Sequence, residues 1–215
     1  ENNRLDNKIV FADRGIIYDR NKVPLAWNTP QETEDFSKRL YIEEPGFAHL
    51  LGYVSYPKKD KKGIYFDDEL VGKEGVEGYY DDLLQGKNGL KITETDALNK
   101  VISESVLRPP EHGNAVTLSI DSRVQAKLYE EMKALADKVG FKGASAAIMN
   151  IHTGELLAYT SYPEFSSTVM TDGDDTALIK NYLSDKRNVF LNRLNDGLYT
   201  PGSIMKPYVA LGADR

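Results

Sequence analysis

The sequence predicts an α+β fold, β-rich at its start and then a strand, a long helix and a hairpin. Three observations predict it. Residues 8–26, "KIVFADRGIIYDRNKVPLA", hold two β-rich runs, "IVFA" and "GIIY", with the turn-forming "DRNK" after them. Residues 115–120, "AVTLSI", alternate, which places Val116, Leu118 and Ile120 on one face of a strand. Residues 122–139 then repeat Val124, Leu128, Met132, Leu135 and Val139 at helical spacing. Between the two parts "RPPEHGN" (108–114) breaks regular structure, so domains over 1–110 and 111–215 are expected.

The elements follow in order. Residues 31–60 read as a short helix and an irregular piece ending at Pro57. Within the glycine-punctuated stretch 70–89, "VEGYYDDLL" has helical spacing, with Val76, Tyr79, Tyr80, Leu83 and Leu84 on one face and Gly86 and Gly89 ending it. Asp121 or Ser122 can cap the helix over 122–139, Ser122 and Gln125 have the spacing of a capping box, and Gly140 stops it. The helix is expected to pack through Val124, Leu128, Leu135 and Val139. "ASAAIMNI" and "ELLAYTSYP" flank "HTG" (152–154), a hairpin signal over 144–162, expected in one sheet with strand 115–120. Residues 166–190 read as loop and a short helix.

Composition narrows function. Of 215 residues 40% are hydrophobic and 28% charged, with net charge −6, so the chain reads as soluble and globular. No Lys/Arg block is long enough to suggest a nucleic-acid partner. "PKKDKK" (57–62) is the most basic stretch and reads as a solvated loop. The absence of cysteine excludes disulfides and thiolate zinc sites. His49, His112 and His152 do not share metal-ligand spacing, so no metal or other cofactor is expected.

Residues 199–208, "YTPGSIMKPY", carry the chemistry. Pro, Gly and Ser before an apolar stretch make a common helix start. The same residues can serve catalysis. Ser203 and Lys206, three apart, project from one helical face, and a neutral lysine there can take the hydroxyl proton. The helix N-terminus favours a developing oxyanion. Pro207 cannot donate to the Ser203 carbonyl, an irregularity placed at the serine. These positions alone leave both readings open.

Several ordered stretches resemble the class B penicillin-binding proteins, the membrane-anchored D,D-transpeptidases that cross-link peptidoglycan. "RGIIYDRNKVPLA" (14–26) is similar to that family's R-G-x-I-x-D-R-N-G-x-x-L-A, with Lys22 where glycine is usual. "GKEGVEGYYDDLLQGKNG" (72–89) looks like its G-x-x-G-x-E-x-x-Y-[DE]-x-x-L-x-G-x-x-G segment. "VTLSIDSRVQAKLYE" (116–130) and "GASAAIMNIHTGELLAYTSYPEF" (143–165) resemble the start of the transpeptidase domain, and "NRLNDGLYTPGSIMKP" (192–207) its S-x-x-K motif with the usual approach. The resemblance spans most of residues 8–211.

The resemblance implies a β-rich pedestal followed by part of a serine β-lactamase-like transpeptidase domain. Ser203 would be the acylated nucleophile and Lys206 its general base, acting on a D-Ala–D-Ala stem peptide or a β-lactam. Arg14, Gly15, Asp19, Arg20, Gly75, Glu77, Tyr80 and Gly86 would be signature residues of structural weight. A cell-wall glycosyltransferase partner, an extracytoplasmic location and a membrane anchor upstream of residue 1 are implied as well. The family also uses Ser-x-Asn and Lys-Thr/Ser-Gly motifs after the serine, and neither occurs in the twelve residues that follow Ser203. "HTG" (152–154) precedes the serine and reads as a turn. The 215-residue chain is therefore expected to be inactive alone, with Ser203 near the surface on a short helix. Arg215 at the end fits cleavage by a trypsin-like protease, a shortened chain or the presence of a separate partner fragment equally. Two other functions compete: a non-catalytic interaction module of the cell-wall machinery, and a β-lactam sensor, which the "RGIIYDRN" pedestal disfavours. Arg14 and Glu77 are expected to be buried and paired.

Overall fold

The computed structural model describes residues 4–96 and 100–213. Strand β1 (Arg4–Val10) pairs antiparallel with β9 (Gly89–Thr95), and β9 with β10 (Val101–Arg108), making a three-stranded sheet. A second sheet has the order β11 (Val116–Thr117), β2 (Ile17–Tyr18), β3 (Pro24–Thr29), β4 (Lys38–Tyr41). Beyond it come α1 (Ala48–Leu51), the short pairs β5 (Val54–Ser55) with β8 (Val71–Gly72) and β6 (Lys58–Lys59) with β7 (Tyr65–Asp67), then α2 (Gly75–Tyr79) and α3 (Asp81–Leu84). The chain continues with α4 (Ser122–Val139), the hairpin β12 (Ala144–Met149) and β13 (Leu156–Tyr162), then α5 (Ser167–Asp172) and α6 (Thr176–Ser184). A 3-10 turn (Gly202–Met205) leads into α7 (Lys206–Ala213).

The first core gathers Ile17, Leu25, Tyr41, Phe47, Leu51, Val76 and Leu84 between the four-stranded sheet and helices α1 to α3. A buried charge network lies beside it. Glu77 is fully buried and shared by two arginines: Arg14 Nε donates to Oε2 at 2.6 Å and Arg39 Nε to Oε1 at 2.8 Å. Arg14 also meets Asp81 at 2.7 Å and donates to the carbonyls of Leu70 and Glu77. Arg39 donates to Asn28 Oδ1 at 3.0 Å, and Asn28 Nδ2 to the Arg14 carbonyl. The expected Arg14–Glu77 pair is present. Arg39 is an addition, because nothing in "KRLY" marks its arginine as buried.

The 70–90 stretch departs from expectation. The helix breaks at Tyr80 into α2 and α3. Val76 and Leu84 are buried, but Tyr79 is 83% exposed and Tyr80 and Leu83 are partly so. The buried face is carried by Val76 and Glu77 because the arginines draw the carboxylate inward. Gly15 belongs to a close backbone crossing: a Cβ there would lie 1.9 Å from the Asn114 carbonyl oxygen.

Helix α4 matches its expected span, with Gly140 left-handed at its C-terminus (φ 85°). Its cap is Asp121, which accepts from the Arg123 N–H. Ser122 and Gln125 do not form a capping box. Ser122 bonds Asp19, and Gln125 reaches across to other backbone. The helix packs through Gln125, Tyr129, Met132 and Ala136, whereas Leu135 and Val139 are about half exposed. Tyr129 and Met132 face Tyr162, Ala144 and Ala146, which rotates the buried stripe away from the aliphatic one. The hairpin turns through residues 150–155 as expected. Strand 116–117, however, pairs in parallel with β2, so it belongs to the N-terminal sheet and not to the hairpin's. Residues 119 and 121 touch β13 through single bonds, Ser119 Oγ to Leu156 O and Asp121 N–H to Leu157 O. Missed altogether were β4, β9 and β10, whose polar, mixed patterns carry no clear period.

Asp19 ties the first turn to α4. Its Oδ1 accepts the N–H of Asn21 and Val23 at 2.7 and 2.8 Å, and its Oδ2 accepts the N–H and hydroxyl of Ser122. Burial pushes its pKa up, but these hydrogen bonds together hold it below the usual carboxylate range. The turn leaves Lys22 left-handed at φ 64°, where the resembling family favours glycine. Lys22 Nζ donates to Thr117 Oγ1 at 2.8 Å. Arg20 stays at the surface, 3.9 Å from Glu155.

Candidate active site

Ser203 sits in the 3-10 turn and Lys206 at its junction with α7. In a 3-10 turn residues three apart eclipse, so both side chains leave the same side. The Lys206 N–H donates to the Ser203 carbonyl and closes the turn. Pro207 then occupies the first turn of α7, where a missing N–H costs little. The irregularity at Pro207 is thus resolved by a change of helix type at the serine. Gly202, just before it, is left-handed at φ 56°. Both Ser203 and Lys206 are exposed, and every described residue of α7 is too. The structure places the serine and lysine one turn apart in sequence order, linked by that backbone bond, with no described side chain of the expected chemistry against them.

The approach to the serine is firmly built up to residue 193. Arg193 is buried and donates to the main-chain carbonyls of Arg187 and Leu191, while its N–H bonds Ser161 Oγ at 3.1 Å. Val189 and Phe190 pack with Phe165 and Ala48. Sequence reading did not single out Arg193; a lone arginine between asparagine and leucine gives no signal. Beyond it Leu198 and Tyr199 point into solvent.

A second arrangement joins the first part of the chain to the hairpin. Glu164 accepts the N–H of Gly46 at 2.6 Å and of Ala48 at 3.0 Å. The Gly46 carbonyl accepts Gln125 Nε2 at 2.6 Å and Thr160 Oγ1 at 3.1 Å. Gly46 is required here: its φ is 96°, and a Cβ would lie 2.7 Å from the Tyr129 Cβ. Burial pushes the Glu164 pKa up from 4.5 to about 7, with the two backbone donors only partly opposing it.

A raised carboxyl pKa stabilises the fold below its unfolded value and loses that contribution as pH rises through the folded one. The Glu164 contribution should therefore be complete below about pH 4.5 and gone above about pH 7, a change of about 3 kcal/mol. His49 acts oppositely, since burial first of all lowers its pKa. Urea unfolding of the wild type against Glu164→Gln isolates the glutamate. The wild type should lose about that much relative to the variant between pH 5 and 8. Parallel pH profiles would refute the assignment.

Comparison with known proteins adds to this geometry. Residues 32–118 match the family model for the penicillin-binding protein dimerisation domain, and residues 144–214 that for the penicillin-binding protein transpeptidase domain. The chain is 30% identical over 191 residues to the peptidoglycan D,D-transpeptidase MrdA of Haemophilus influenzae, covering 85% of this chain and 28% of that protein. It is 34% identical to the Acinetobacter baumannii MrdA, covering 81% and 26%. It is 32% identical to penicillin-binding protein 3 of Bacillus subtilis, covering 92% and 31%. The chain thus spans less than a third of the length of these curated relatives. Among solved structures, a complex between penicillin-binding protein PBP2 and MreC from Helicobacter pylori superposes with a TM-score of 0.71 at 24% identity, over 97% of this chain and 52% of that one. That likeness concerns the fold.

Proposed function

Since the chain belongs to the penicillin-binding protein family, with its dimerisation and transpeptidase domains, we propose that it is part of a serine D,D-transpeptidase that cross-links peptidoglycan. We divide it into a pedestal over 1–110 and the first part of the transpeptidase domain over 111–215. Ser203 Oγ attacks the carbonyl carbon of the penultimate D-Ala of a stem peptide. Lys206 takes the hydroxyl proton and passes it to the departing D-Ala amine. The acyl-serine is then resolved by an amine of a second stem peptide, which restores the hydroxyl. A β-lactam acylates the same oxygen and stays.

The observation that carries this reading is the 3-10 turn, which sets Ser203 and Lys206 on one side within the stretch matching the transpeptidase model. In the whole protein a membrane anchor precedes residue 1 and chemistry occurs outside the cytoplasmic membrane. No helix among the described residues is long and apolar enough to cross a membrane. For the whole protein we place a cell-wall glycosyltransferase partner on the pedestal; the fold neighbour from Helicobacter pylori was solved in complex with a different protein, MreC. Exposure of both catalytic candidates favours a second reading for the chain by itself, that of an interaction module. The test is peptide mapping of the protein, at the full length of its relatives, after treatment with fluorescent penicillin. The label is expected on Ser203; a label on another residue would overturn the assignment.

A further inference from the structure

A cleft of about 660 Å³ opens between α1, α2, the segment 118–120, β13 and the loop 190–196 that leads toward Ser203. That volume lies in the range of small-ligand sites. The cleft is sided. Phe190 and the aliphatic side chains of α1 and β13 make its wall, and Tyr79 and Tyr80, edge to face at 4.9 Å, make one lip. Tyr79 stands 83% exposed there, a large ring left in water. Glu74 and Asp196 face the same opening.

The charge on this opening is unbalanced. Among the described residues no lysine or arginine lines the cleft. Among the described residues Glu74 and Asp196 have no ion-pair partner, and the Glu74 side chain does not cap α2. Burial pushes the Glu74 carboxyl up, and the nearby Asp196 carboxylate pushes it further. His49, on the inner wall, does not offset them: burial lowers its pKa, and its Nε2 lies 3.2 Å from the Pro163 carbonyl. Arg193, whose charge reaches His49, turns its guanidinium to main-chain carbonyls.

We propose that this cleft binds a primary ammonium carried on an apolar stem, as the lysine side chain of a peptide presents it. The ammonium sits between Glu74 and Asp196, where it relieves their mutual repulsion. The methylene stem lies along Tyr79 and Phe190, and the ring faces attract the cation. A carboxylate-bearing ligand would add to the repulsion, and a neutral apolar one would leave both carboxylates uncompensated. Because one wall is the loop that runs on to Ser203, occupancy would order that approach. The inference does not depend on acylation of Ser203, and its failure would leave that reading untouched.

The probe is capped Ala-Lys-Ala, titrated into the 215-residue chain while amide and aromatic resonances are followed. Saturating shifts are expected at Tyr79, Tyr80 and Phe190, with a Kd of about 1 mM or tighter. The same peptide acetylated on the lysine should bind at least about tenfold more weakly, since it lacks the charge. Glu74→Gln and Asp196→Asn should each weaken binding about threefold and Tyr79→Ala similarly, and the double acidic variant about tenfold. All three positions lie at the rim, so unchanged thermal unfolding serves as the folding control. Raising the salt should weaken binding as well. Cadaverine binding equally would identify free amines as a sufficient source, and weaker binding would point to a peptide. Equal binding of the acetylated peptide, no effect of the double variant, or no cleft shifts at probe concentrations far above that Kd would each overturn the proposal.

Discussion

Glu77→Ala is expected to lower folding stability by about 4 kcal/mol, read from the shift of the urea unfolding midpoint at unchanged slope. The carboxylate is fully buried and takes one Nε bond from each of Arg14 and Arg39. Removing it leaves two buried guanidinium groups facing each other across a cavity. Arg14 retains Asp81 at 2.7 Å, so its charge stays partly compensated. Among the described residues Arg39 retains only the amide oxygen of Asn28 as a side-chain partner, and its Nη2 has none. The damage should therefore concentrate on Arg39 and the strand it leaves, β4. Arg14→Ala should cost about 3 kcal/mol, because one arginine still faces the glutamate. A surface pair gives the contrast: Glu131→Ala, which breaks the exposed Lys127–Glu131 bridge at 2.8 Å, should leave the unfolding midpoint almost unchanged. A loss at Glu77 no larger than that would show that the network does not hold the first core to the 70–84 segment.

The second large effect concerns labelling by penicillin. In a protein of the relatives' length, Ser203→Ala should abolish the acyl adduct, and Lys206→Ala should slow its formation about 10²–10⁴-fold. In the 215-residue chain itself no stoichiometric adduct is expected within minutes, as measured by intact mass. Serine needs an activating neighbour, and lysine activates only when a desolvated surrounding keeps it neutral. Here both side chains are exposed, as is all of the described α7. Exposure also leaves the N–H groups of this turn open to water, outside any closed oxyanion site, and one such donor held in place is alone worth about 10²–10³ in rate. A rapid adduct on Ser203 in this chain would mean that the turn suffices, and would sink the argument from exposure.

Much of this was legible in the sequence, for identifiable reasons. Helix α4 announces itself because its length covers several periods and Gly140 ends it. The hairpin over 144–162 is bounded by apolar runs and a glycine turn. Ser203 and Lys206 can be read together because their spacing matches the geometry of one turn. What could not be read is which periodic face is buried. Leu135 and Val139 fit the repeat yet half-face solvent, while Gln125 is buried because three backbone groups await its amide. Arg39, Arg193 and Glu164 gave no signal, since each takes its role from residues distant in the chain. Tyr79 and Tyr80 misled the reading of α2 because aromatic residues at helical spacing suggest core, and here they line a cleft.

The sharing of one carboxylate between Arg14 and Arg39 also bears on how this protein can change over generations. A trio of apolar residues filling the same volume could be as stable as the charged one, since desolvation offsets most of what such networks gain. No sequence of single substitutions reaches that trio cheaply. Losing Glu77 first strands two cations, and losing either arginine first leaves the rest unbalanced, so each intermediate is less fit than both ends. The three positions should accordingly persist together across descendants, locked by the depth of the valley around them whatever their net worth to the fold.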